Sequence, residues 1–98
     1  MPITLKIDKV SLSGQTDPHQ RVQFVHGPVG KGEWCHTQEQ AIEYIESWQF
    51  SYYLQKDGRA VRLVVGRTDT GEKYLKAATD GDIPTLLLEL PSLVPNIN

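Results

Sequence analysis

The residues best suited to chemistry lie in the first half of the chain. Cys35 and His36 are adjacent, and His19 and His26 precede them. A thiol beside an imidazole makes a nucleophile–base pair when a third group orients the base. No local signature of a cysteine nucleophile surrounds Cys35, and no third group is evident. The same residues are all that a zinc site would have. Structural zinc sites take four ligands, in pairs spaced by two to four residues, and these are scattered. Cys35 therefore reads as a half-buried cysteine beside Trp34 and a helix cap. Gly27-Pro28-Val29-Gly30-Lys31 superficially resembles a phosphate loop, but its glycines are too close and Gly32 follows the lysine where Ser or Thr is needed. It reads as a flexible connection. Asp80 and Asp82, with Asp69 and Glu72 upstream, lack the alternating oxygens and final Glu of a calcium loop. Asp80-Gly81 reads instead as a turn and Asp82 as a helix cap. The expectation is a chain with no catalytic, cofactor-binding or metal-binding set and no enzymatic activity.

The more informative chemistry lies between Phe50 and Lys76. Phe50 to Gln55 is aromatic-rich, as strands are. Asp57-Gly58 is a two-residue hairpin signal, because a type I′ turn needs positive φ at both central positions. Ala60 to Val65 returns. This turn sets Gln55 against Ala60, Leu54 against Val61, Tyr53 against Arg62 and Tyr52 against Leu63. Phe50, Tyr52, Leu54, Val61, Leu63 and Val65 then share one side, and a slip of one residue would undo that. Asp69-Thr70-Gly71 suits a three-residue loop, with Gly66 near Tyr74 and Val65 near Leu75. A strand glycine leaves room for a ring, so Tyr74 is expected over Gly66.

The face opposite this core carries Tyr53, Arg62, Val64, Tyr74 and Lys76. Six of the ten Lys and Arg residues fall between Lys56 and Lys76. Aromatic and basic side chains on an open sheet can stack bases and hold phosphates. The same face can equally meet a protein, a second copy, or only solvent. These five residues are the candidate partner-binding face.

The remaining elements must position it. Ile3, Leu5 and Ile7 alternate with polar residues, as in a half-buried strand. The apolar parity then shifts to Val10 and Leu12, which predicts a bulge or strand end near Asp8-Lys9. Arg21 to His26 is a second strand. Thr37 with Gln40 three residues on predicts a capped helix start, and Ala41, Ile42, Ile45 and Trp48 form its apolar stripe. The helix ends near Ser47 or Gln49. Ile83 to Leu90 reads as a short helix that buries Leu86, Leu87 and Leu90, and residues 92–98 read as a frayed tail. The predicted class is α+β: an antiparallel sheet of about five strands, ordered strand, strand, helix, strand, strand, strand, packed on one helix, plus a short C-terminal helix.

Composition fits one small domain over residues 1–98. The net charge is −2, with no global field toward nucleic acid or membrane. One cysteine excludes an internal disulfide. No apolar run is long enough for a bilayer, and the start lacks a signal-peptide pattern, so a cytoplasmic protein is expected.

The second half resembles a family of small, mostly bacterial proteins, domain of unknown function family 3892. Trp34, Glu39-Gln40-Ala41-Ile42 with Ile45, and Tyr52-Tyr53 carry the resemblance. So do Tyr74-Leu75-Lys76, Asp80-Gly81 and Leu87-Leu88-Glu89-Leu90-Pro91. The stretch runs from Trp34 to Pro91. The chain departs from the family pattern at Pro84-Thr85, where asparagines are expected, and no cysteine follows Pro91. The resemblance implies a compact small domain and no particular activity. The functional expectation is a non-enzymatic binding or protein-interaction module with a protein partner or a second copy of itself. A weak single-stranded nucleic-acid binder using the same face is the alternative.

Overall fold

The structure is a computed structural model that describes residues 2–14, 16–17, 19–81 and 83–93. Strands β1 (Ile3–Lys6) and β2 (Lys9–Leu12) are two halves of one path. Ile7 donates its N–H to the Tyr53 carbonyl at 2.8 Å, and Asp8 donates to the His26 carbonyl at 3.0 Å. The chain changes sheets between these two residues. This is why the apolar parity shifts there: Ile7, Val10 and Leu12 are all buried although their spacing breaks alternation.

β3 (Val22–Val29) and β4 (Gly32–Thr37) form a hairpin whose turn holds Gly30 at φ 53° and Lys31. The expected flexible connection is therefore strand, turn and strand. Its Gly and Pro residues have strand-compatible places: Pro28 lies beyond His26, the last β3 residue paired with β2, so its missing N–H costs no bond there. Helix α1 (Gln38–Glu46) starts as predicted. Thr37 Oγ1 accepts from the Gln40 N–H, and Gln40 Oε1 accepts from the Thr37 N–H, each at 3.0 Å, so two otherwise orphaned donors are satisfied.

β5 (Phe50–Lys56), β6 (Arg59–Arg67) and β7 (Lys73–Ala77) run antiparallel in the expected register. Tyr53 faces Arg62, Leu54 faces Val61, Val65 faces Leu75 and Gly66 faces Tyr74. Asp57 at φ 52° and Gly58 at φ 79° supply the left-handed pair that the turn requires. Helix α2 (Thr85–Leu88) is one turn, shorter than the expected span. Asp80, not a residue next to the helix, takes its Leu86 N–H, at 3.4 Å from each carboxylate oxygen. The expected Asp82 cap and residues 94–98 of the expected tail lie outside the described residues. Ser92 and Leu93, assigned to that tail, form β8 (Ser92–Leu93) beside β2.

The α+β class holds, but the single antiparallel five-stranded sheet does not. The described residues form two four-stranded sheets, the first ordered β1-β5-β6-β7 and the second β4-β3-β2-β8. β1 runs parallel to β5, and β8 runs parallel to β2. The core lies between the layers. Tyr52, Leu54, Leu63, Leu75 and Ala77 come from the first sheet, and Val10, Leu12, Val22 and Val25 from the second. Ala41 and Ile42 of α1 and Leu87 of α2 close it. α1 touches β5 and β7 of one sheet and β3 and β4 of the other. No helix among the described residues is long and apolar enough to cross a membrane.

Candidate functional site

Because Tyr52 and Leu54 point into the core, Ser51, Tyr53 and Gln55 point out of the first sheet. Register carries this outward set across the strands. Thr4 and Lys6 stand beside Ser51 and Tyr53, and Thr4 Oγ1 lies 3.0 Å from Ser51 Oγ. Lys6, Tyr53 and Arg62 are consecutive partners on three neighbouring strands, so one aromatic ring stands between two cations. Val64 and Lys76 are partners in the next row. Arg62 is exposed, while Lys6, Tyr53, Val64 and Lys76 are half-buried. Lys76 Nζ donates to the Gly81 carbonyl at 3.1 Å. No outward position on these four strands is acidic.

Tyr74 does not belong to the accessible part of this face. It is only 2% exposed. Its ring lies over Gly66, where an added Cβ would sit 2.7 Å from Tyr74 Cζ. The His19 ring covers it, with centroids 4.2 Å apart. The sequence correctly set Tyr74 over Gly66 but gave no sign that the loop before β3 folds across it. Of the five candidate residues, Tyr53, Arg62, Val64 and Lys76 remain together on the accessible surface, and register adds Lys6.

The exposed side of α1 has the opposite charge. Glu39, Glu43 and Glu46 are exposed along α1 and, with Glu72, line an open groove of about 880 Å³. Its apolar lining includes Val22, Phe24 and Ile42. Lys73 Nζ holds Glu46, at 2.8 Å from each carboxylate oxygen, and Gln20 Nε2 lies 3.3 Å from Glu72. Among the described residues Glu39 and Glu43 have no ion-pair partner. Gln38 forms part of the lining as a cross-link: its Nε2 donates to the His19 and Val22 carbonyls at 3.3 and 3.2 Å, and its Oε1 accepts from the Leu75 N–H at 2.9 Å.

Cys35 and His36 separate onto opposite faces of the second sheet. Cys35 is exposed, not half-buried beside Trp34, and stands across from His26. His26 Nε2 is bonded to Ser11 Oγ at 2.6 Å. His36 points inward, where its Nδ1 meets the Tyr52 hydroxyl at 2.8 Å among the rings of Trp34, Tyr44 and Phe50. Burial lowers the His36 pKa. Burial, with a smaller contribution from Tyr44, raises that of Tyr52, so the pair is neutral near pH 7. Trp34 Nε1 is buried without a hydrogen-bond partner among the described residues. Among the described residues no group of three His, Cys, Asp or Glu side chains is placed to hold a metal ion.

Trp48 is a surface feature that the helical spacing concealed. It was expected on the buried stripe of α1, yet it is 72% exposed. The helix ends first, at its cap Ser47, and Trp48 takes φ 63°. Its N–H donates to Ile45 and that of Gln49 to Tyr44, the bonding of a Schellman end in which glycine usually holds the left-handed position.

Residues 6–91 match the family described as protein of unknown function (DUF3892). The chain belongs to that family. The match takes in β2 and β3 as well as the stretch from Trp34 that carries the resemblance. In this DUF3892 chain six of those eighteen resemblance residues, Ala41, Ile42, Tyr52, Tyr74, Leu75 and Leu87, are buried, and Trp34, Ile45, Leu88 and Leu90 pack against the core. Family membership therefore speaks first to the fold. No curated protein and no solved structure matches the chain.

Proposed function

We propose that this DUF3892 protein is a small non-enzymatic interaction module of the cytoplasm, working through the outer face of its first sheet. The observation that carries this reading is the row Lys6–Tyr53–Arg62, with Lys76 nearby, on four strands with no acidic residue at any outward position. Tyr and Arg are enriched among residues that dominate binding energy, and an aromatic ring set between cations suits a surface that carries both carboxylates and apolar area. Native mass spectrometry of protein gently purified from cells tests it. The wild type should carry a partner or a second copy, and Tyr53→Ala and Arg62→Glu should each remove it without shifting the melting temperature by more than about 2 °C, since surface changes rarely exceed about 0.5 kcal/mol. Unchanged masses and partners in both variants would remove this face from consideration.

Single-stranded nucleic acid is the second reading, favoured by Tyr53 beside Arg62 on an open sheet. The burial of Tyr74 leaves it one ring on which to stack a base. Binding to an oligothymidine that falls steeply with salt would support it.

A further inference from the structure

The outer face of the first sheet and the exposed side of α1 are complementary surfaces of one chain. They look in opposite directions, because α1 packs against the core side of the strands whose other side is the basic face. We infer that the basic face docks the acidic side of α1 from a second copy of this chain, in a head-to-tail contact. The inference rests on the reading of that sheet face as a docking surface, and it names the partner.

Charge and spacing both support the pairing. Lys6 and Arg62 flank Tyr53 on strands two apart, a separation of about 9.6 Å. Glu39 and Glu46, the latter already paired with Lys73, lie seven residues apart on one side of the helix, a rise of about 10.5 Å. Glu43 stands between them, above the position Tyr53 would take. Like charges one turn apart weaken an isolated helix. Glu39 and Glu43 keep this repulsion without an ion-pair partner among the described residues. A cationic surface laid along the helix relieves it.

Size sets the expected strength. A flat patch spanning four strands and about five residues measures roughly 19 by 17 Å, smaller than the roughly 800 Å² per partner of a standard interface. The contact is therefore weak, salt-sensitive and built for exchange. A head-to-tail contact joins unlike surfaces, so it closes into a ring or continues as an open chain.

Sedimentation velocity from about 10 µM to about 1 mM tests this, a range that brackets weak association. The wild type should gain mass with concentration and lose it when salt rises from about 50 to about 300 mM, as the Debye length shortens. Arg62→Glu and Glu43→Lys should each stay monomeric, because each loses one of the two surfaces. Mixed in equal amounts they should associate again, since each variant retains the surface the other needs. That complementation also excludes misfolding as the cause of lost assembly. Association that persists in Glu43→Lys would overturn the α1 assignment. A wild type that remains monomeric throughout would overturn the inference entirely. In that case titration with a glutamate-rich peptide separates the two readings: binding lost in Arg62→Glu leaves the docking face standing, and no binding removes both.

Discussion

His36 is held in its neutral form by the rings around it. Its Nδ1 meets the Tyr52 hydroxyl, and a group desolvated in this way resists charging. Its pKa in the folded state lies below the ordinary value near 6.5, so between those two values the unfolded chain binds the proton and the folded chain does not. Stability contributed by neutral His36 is complete above the unfolded value, falls as pH drops through the window, and is constant again below the folded pKa. Ring-proton NMR should therefore give His36 a midpoint below 6.5. The stability difference between pH 7 and about pH 5 should shrink in a His36→Phe/Tyr52→Phe variant, which removes both polar groups together and leaves neither unpaired. A midpoint at or above the ordinary value would mean that water reaches the ring. Tyr52, at 1% exposure, was legible as a core residue from alternation alone. Its bond to His36 was not, because it joins β4 to β5 and depends on a strand whose composition reads as loop.

The end of α1 shows a local preference overridden at an element boundary. Trp48 continues the apolar stripe of Ala41, Ile42 and Ile45 by spacing, yet the helix stops at Ser47 and the ring faces solvent. A bulky residue in the left-handed region carries a conformational cost of about 1–2 kcal/mol, and exposure returns little to offset it. Trp48→Gly should stabilise the protein by about 1 kcal/mol, the left-handed relief being partly cancelled by the greater freedom of glycine in the unfolded chain. That gain amounts to roughly 4–8 °C in the melting temperature. A loss of stability instead would show that the indole packs on its surroundings in solution. The hairpins of β5 to β7 were legible for the converse reason: Asp57-Gly58 and strand alternation each specify the same register. β4 was hidden because Gly30 and Gly32 bracket its turn while Gly27 and Pro28 sit inside β3, so turn residues stand where no turn occurs.

The two sheets should unfold as one cooperative unit because of where they meet. β1 belongs to the first sheet and β2 to the second, joined with no intervening loop at Ile7 and Asp8. Strand order of this kind depends on contacts remote in sequence, such as Ile3 with Phe50, and neither alternation nor turn chemistry specifies it. Gly27 of β3 lies at the seam: a Cβ there would collide with the Lys6 carbonyl oxygen of β1 and stand 2.5 Å from Trp34 Nε1 of β4. The carbonyl is backbone, so the collision is relieved only by separating the sheets. Gly27→Ala should destabilise the protein by about 3 kcal/mol, the scale of an overpacked core. Gly14→Ala, with nothing within 4 Å of the added Cβ, should have little effect. Denaturant unfolding followed by hydrogen exchange would show how the loss is shared. If the sheets are one unit, the amide of Val25 in the second and the slowest amides of β6 in the first should lose protection by the same factor in Gly27→Ala. Loss at Val25 alone would mean that the sheets open independently and that the seam couples them weakly.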